Sequence, residues 1–317
     1  MRRTAGAIAR ACAAGAIGFP LAAGLQACAA PSDPAPVAPA SVPAIAGPTG
    51  PARSGPGTAA TPSAPASSVT PHPNPFGTAA TSYVADRSGT VTAAVYDVTT
   101  GQTWTFGSTK PQAEASIVKL NILEALYAQH RTGSAQLSSS DTSLAESMME
   151  DSDNDAATSL WDAVGGSSQI ASFNTSAGLT HTEPSSCVQC PDFPWPGWGL
   201  STTTPADQLA LLRELIKPST LLTAGQRDSA LKLMENVAPS QRWGVSGGVP
   251  SEATVALKDG WLPLNEASTN WQINSIGWVS GRGRDYLMAV LTTGNPDEQY
   301  GIDTINQLST LVWQHLG

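Results

Sequence analysis

Ser116-Ile117-Val118-Lys119 places a hydroxyl three residues before one of only five lysines in the chain. The apolar stripe that follows, Ile117, Leu120, Leu123 and Leu126-Tyr127, predicts a helix over Ser116–His130. Ser116 then sits where backbone N–H groups and the helix dipole favour developing negative charge. Lys119 falls on the same face one turn later. A buried amine with a lowered pKa at that place could take the serine proton and make a nucleophile. Taken alone, the pair reads better as an N-capping serine followed by a surface lysine.

Two further groups stand at chemically useful places. Ser152-Asp153-Asn154 lies within a second expected helix, Leu144–Val164, and Lys258-Asp259-Gly260 ends an expected strand, Thr254–Trp261. Cys187-Val188-Gln189-Cys190, with His181 nearby, could be half a metal site. Two thiols and one distant histidine do not complete a tetrahedral set, so no metal is expected, and a small disulfide loop between Cys187 and Cys190 is the better reading in an exported chain.

The elements that must position these residues follow from periodicity and turn signals. Thr90–Thr99 and Gln102–Phe106 read as a hairpin, and Thr254–Trp261, Gln272–Ser280 and Tyr286–Thr293 as three further strands. Between them come the helices above, a third over Ser168–Ala177, and a fourth opened by Thr204-Pro205-Ala206-Asp207 and running to Ile216. Ile302–His315 is a closing amphipathic helix. Two strands, a helical insertion, three strands and a final helix make an α+β plan, an antiparallel five-stranded sheet with helices on its faces.

The set S-x-x-K, S-D-N and K-[TS]-G, in this order and these contexts, resembles the signature of class A β-lactamase-like, penicillin-recognising serine hydrolases. The resemblance covers nearly all of residues 81–317. Gln241-Arg242-Trp243-Gly244-Val245 and Trp198-Gly199-Leu200-Ser201-Thr202-Thr203 resemble alanine-rich actinobacterial lipoproteins with such domains. The resemblance implies that Ser116 attacks a carbonyl and Lys119 assists, while Ser152 relays a proton to the leaving nitrogen. It implies that Asn154 binds a substrate amide and Lys258 attracts a substrate carboxylate. The N–H groups of Ser116 and Trp261 would form the oxyanion hole, with Gly260 beside them.

Glu183-Pro184 falls where that family carries the glutamate activating a deacylating water, although Ser185-Ser186-Cys187 then replaces the usual Leu-Asn. A turn-initiating Glu-Pro on a surface loop is the competing reading. Asp259 stands where Thr or Ser is usual. Facing the cleft it would repel a substrate carboxylate, or it could point away as alternate strand residues do. The implied substrate is a β-lactam or a peptidoglycan-like acyl-peptide, with no cofactor. A non-catalytic envelope protein that binds penicillin is the alternative.

Arg2, Arg3 and Arg10 precede an apolar stretch, Ala11–Ala27, in the layout of a secretory signal over residues 1–27. Leu25-Gln26-Ala27-Cys28 resembles a lipobox, in which Cys28 is lipidated and anchors the chain outside the cytoplasmic membrane. Ordinary cleavage and secretion is the alternative. Residues 28–80 are Pro-, Ala- and Ser-rich and read as a tether. Losing three arginines takes the formal charge from −9 to about −12, which argues against nucleic acid and against an electrostatic grip on anionic lipid. The chain is expected to act as a monomer.

Overall fold

The structure is a computed structural model that describes residues 71–131, 137–191, 193–264 and 269–316. The expected signal and Cys28 lie outside the described residues, as does most of the expected tether. Residues 71–80 belong instead to the folded unit. Phe76 is buried with its ring centroid 5.5 Å from that of Phe106, and the His72 N–H donates to Gln102 Oε1 at 2.8 Å. One aromatic anchor docking on the sheet was enough to extend the domain, and it left no periodic pattern to read.

In chain order the elements are α1 (Thr78–Ala85), β1 (Thr90–Asp97), β2 (Thr103–Phe106), β3 (Gln112–Ala113), α2 (Val118–Gln129), α3 (Ser139–Glu150), α4 (Asn154–Val164) and α5 (Gly166–Ser176). After a long loop come β4 (Thr202–Thr203), α6 (Pro205–Ile216), α7 (Ala224–Glu235), β5 (Thr254–Pro263), β6 (Trp271–Gly281), β7 (Arg284–Asn295) and α8 (Glu298–His315). The main sheet runs β2-β1-β7-β6-β5, antiparallel throughout, and β3 pairs with β4 in a small ribbon.

The sheet needs cover on both faces because its central strands are apolar at successive positions. Ala94 and Tyr96 of β1, with Leu287, Ala289 and Leu291 of β7, join the core under α2–α7. Val91, Ala93 and Val95, with Tyr286, Met288 and Val290, pack against α1 and α8. Alternation of Cβ directions sends neighbouring residues to opposite cores. α2 is buried along Val118–Tyr127, so it has no solvent stripe. A helix buried nearly all round has to be central, and it takes Lys119, Asn121 and Glu124 into the core with its apolar residues.

Besides α1 and the β3–β4 ribbon, which no period announces, a split helix and an added one depart from expectation. Leu144–Val164 is two helices, α3 and α4, with Asp153 capping the second: its Oδ1 accepts the Ala156 N–H at 2.6 Å. The break was hard to see because Met148–Asn154 contains neither Gly nor Pro. α7 was missed, although Thr223 and Gln226 form a reciprocal capping box at its start.

Candidate active site

Ser116 lies in a single 3-10 turn, Ala115–Ile117, that leads directly into α2. Four elements grip this turn. Asn274 Nδ2 of β6 donates to the carbonyls of Ala113 and Glu114 at 2.9 and 2.8 Å. The Glu114 N–H donates to the Ser201 carbonyl at 2.7 Å. Gln208 Nε2 of α6 donates to Glu114 Oε1 at 3.1 Å. Burial, with Asp207 adding repulsion, pushes the Glu114 carboxyl up to about 8, so it is held neutral at pH 7. The fourth grip is β5, whose Gly260 leaves no room for a Cβ between the strand and the Ser116 turn.

Ala115 and Ser152 carry left-handed φ values of 49° and 57°. Both border the same cleft. For non-glycine residues such a conformation costs about 1–2 kcal/mol and persists only where surroundings over-determine it.

Lys119 is fully buried, and its Nζ donates to the Ser152 carbonyl at 2.6 Å, to Ser152 Oγ at 2.9 Å and to Asn154 Oδ1 at 2.8 Å. Lys258, also fully buried, donates to Ser152 Oγ at 3.0 Å and to the Asp259 carbonyl at 3.0 Å. Ser152 Oγ therefore bridges two lysine nitrogens. Burial, then the neighbouring Lys258 charge, lowers the Lys119 amine to about 6, against an opposing pull from Asp153. The three Lys119 donations belong to the charged form. At neutral pH the amine is uncharged, keeps two N–H donors and gives up one of the three contacts, which frees a lone pair. Burial lowers Lys258 as well, partly offset by Asp259. The Ser116 hydroxyl makes no hydrogen bond among the described residues, and it opens onto the cleft with Ser152 and Asn154.

The sequence-level assignments of Ser116, Lys119, Ser152, Asn154 and Lys258 thus converge in space. Two others do not. Glu183 is exposed and pairs its backbone with Thr202, at 2.8 and 2.9 Å, while its side chain borders a separate polar cavity with His181 and Thr180. It is not among the residues lining the Ser116 cleft, and its backbone is held by the Thr202 bridge. Asp259 points away from the cleft: its Oδ2 accepts the Trp243 N–H at 3.4 Å. Strand alternation sends Lys258 and Gly260 to the nucleophile side and Asp259 to the other. Burial raises its carboxyl well above the usual range. Gly260 serves close approach rather than lining the cleft.

The residue that stands beside Lys119 is Trp198, which the sequence offers with Trp195 either as an aromatic platform at the cleft edge or as packing of its own loop, and which lines the cleft. Its buried ring lies 5.1 Å from Lys119 Nζ, and its Nε1 donates to Thr158 Oγ1 at 3.0 Å. Cys187 and Cys190 are joined as a disulfide in the loop before it, and the Gly197 N–H donates to the Val188 carbonyl at 2.7 Å. The cleft encloses about 250 Å³, with Trp195, Trp198, Trp261 and Trp271 on its walls. Among the described residues no cluster of potential ligands could hold a metal ion. Asn274, Glu114 and Gln208 escaped notice. Their only signal is a polar residue at a position whose neighbours are buried and apolar.

Comparison with known proteins places this geometry. The model of a family described as "Beta-lactamase enzyme family" matches residues 140–316, from α3 to α8, a span that begins after the Ser116 turn. "Putative lipoprotein LppW" of Mycobacterium tuberculosis is 29% identical over 241 residues, covering 72% of this chain and 71% of that one. A class A beta-lactamase from Bacteroides cellulosilyticus superposes with a TM-score of 0.64 at 18% identity, over 76% of this chain and 96% of its own. The structure of PBP-A superposes with a TM-score of 0.62 at 20% identity, over 78% and 98%. These likenesses establish the fold.

Proposed function

Because the chain belongs to the beta-lactamase enzyme family, we propose that it is an exported active-site-serine hydrolase whose Ser116 forms an acyl-enzyme with a β-lactam or a peptidoglycan-like acyl-peptide. The observation that carries this reading is the bridge Lys119–Ser152–Lys258 behind the free Ser116 hydroxyl. Neutral Lys119 accepts the Ser116 proton as Oγ attacks the carbonyl. The N–H groups of Ser116 and Trp261 stabilise the oxyanion. β5 is the edge strand of the sheet, so alternate N–H groups along it have no strand partner and can serve this purpose. Ser152, between the two lysines, passes the proton to the leaving nitrogen. Asn154 Oδ1 is taken by Lys119, which leaves its amide N–H groups for a substrate carbonyl.

The second half of the cycle is slow. An ester on Ser116 needs a held, activated water, and the Trp198 ring, not a carboxylate, stands beside Lys119. Glu183 borders another cavity. This favours a long-lived acyl-enzyme, as in a penicillin-binding or peptidase-like protein, over efficient antibiotic hydrolysis. Export and anchoring through Cys28 rest on the lipobox-like Leu25–Cys28 and on the name of the mycobacterial relative.

Intact-mass measurement after incubation with a penicillin tests the reading. A covalent adduct that persists for many minutes and is absent from Ser116→Ala is expected. No adduct at any time, or one that survives in the variant, would reject it.

A further inference from the structure

The cleft beside Ser116 has one ionisable side chain among its described lining residues, and it is an acid, Glu298 at the start of α8. Apart from the uncharged polar groups of Ser116, Ser152 and Asn154, the rest of the wall is aromatic or apolar: Trp195, Trp198, Trp261 and Trp271 with prolines and a leucine. The lysines do not offset this. Lys119 and Lys258 are fully buried, and their nitrogens are engaged by Ser152, Asn154 and the Asp259 carbonyl.

Helix capping does not account for Glu298. Asp297 is the N-cap, with Oδ1 accepting the Tyr300 N–H at 2.7 Å. Glu298 makes no hydrogen bond or ion pair among the described residues, is half-buried, and has its carboxyl raised by desolvation. A partly dehydrated carboxylate with no hydrogen bond or ion pair among the described residues, sharing one cleft with four indole rings, is suited to attract an organic cation. The ring quadrupole presents negative potential over its face, and the carboxylate supplies the countercharge.

We propose that this cleft holds its substrate by an ammonium substituent, seated between the tryptophan faces and Glu298. The acyl compounds it selects would then carry a cationic amine, and those carrying a carboxylate at that place would be disfavoured. The assignment of this ammonium as part of a substrate rests on acyl transfer at Ser116. The existence of the subsite does not.

Choline and its uncharged isostere 3,3-dimethylbutan-1-ol separate charge from shape and need no reaction. Tryptophan fluorescence titration of the full chain should give choline an affinity several-fold above the alcohol, weakening as salt rises. Glu298→Gln should cut choline affinity by roughly tenfold and leave the alcohol unchanged. Trp195→Ala, at the 46% exposed rim, should lower choline affinity several-fold in a protein with unchanged circular dichroism. Equal affinity for the two probes, or a full choline preference in Glu298→Gln, would overturn the subsite. Choline binding that depends on Glu298, in a chain that forms no adduct at Ser116, would retain the subsite and reject the acyl-transfer reading instead.

Discussion

A Cβ built on Gly260 would lie 2.7 Å from the Ser116 nitrogen and 2.8 Å from that of Ile117, so β5 and the nucleophile turn meet only because residue 260 has no side chain. The glycine of the K-x-G motif is thus a spacer between two backbones. Gly260→Ala should destabilise the fold by about 1–3 kcal/mol through overpacking, a melting-temperature loss of roughly 2–12 °C. Adduct formation at Ser116 should slow about tenfold or more, because the oxyanion donors separate. A variant with parental melting temperature and acylation rate would show that the strand yields freely.

Lys119 sets the pH dependence. Its amine is charged below about 6 and neutral above, so acylation should rise about tenfold per pH unit below that value and level off above it. Lys119→Met should lose a hundredfold or more. The stability effect has a definite sign: across the window from about 6 to the unfolded value near 10.5, the unfolded chain holds a proton that the native chain lacks. Stability from this group therefore rises with pH over that window. Denaturant titrations at a series of pH values should show a flatter dependence in Lys119→Met than in the parent.

Glu183 borders a different cavity from Ser116, so Glu183→Ala should leave adduct lifetime within about twofold of the parent. Loss of a true deacylating base would extend it by about a hundred- to ten-thousand-fold. Time-resolved mass spectrometry of the penicillin adduct distinguishes these outcomes cleanly.

Asp259 faces Trp243 and Ser275 rather than the cleft. Asp259→Thr should consequently leave acylation by an anionic β-lactam unchanged at low ionic strength. It should cost stability of about 1–3 kcal/mol, since the Trp243 N–H loses its carboxylate acceptor. A marked acceleration that salt abolishes would place the carboxylate in the cleft after all.

The sequence by itself determined the α+β plan, the five strands of the sheet and the residues that converge on Ser116. Strand and helix periods are local and place Ser116 and Lys119 at the start of a helix and Lys258 within a strand. Motif order alone singles out Ser152 and Asn154, since the period hides the break between α3 and α4. Tertiary structure decided what depends on direction. A one-residue alternation on β5 turned Asp259 away while Lys258 reached Ser152. Glu183, bridged to Thr202, lines another cavity, and Trp198 stands beside Lys119. The break at Ser152 that lets its Oγ meet both lysines is a φ of 57°, imposed by packing on a residue type that does not choose it alone. Side-chain burial finished the site. The Lys119 amine is a base only because the folded core removes its water.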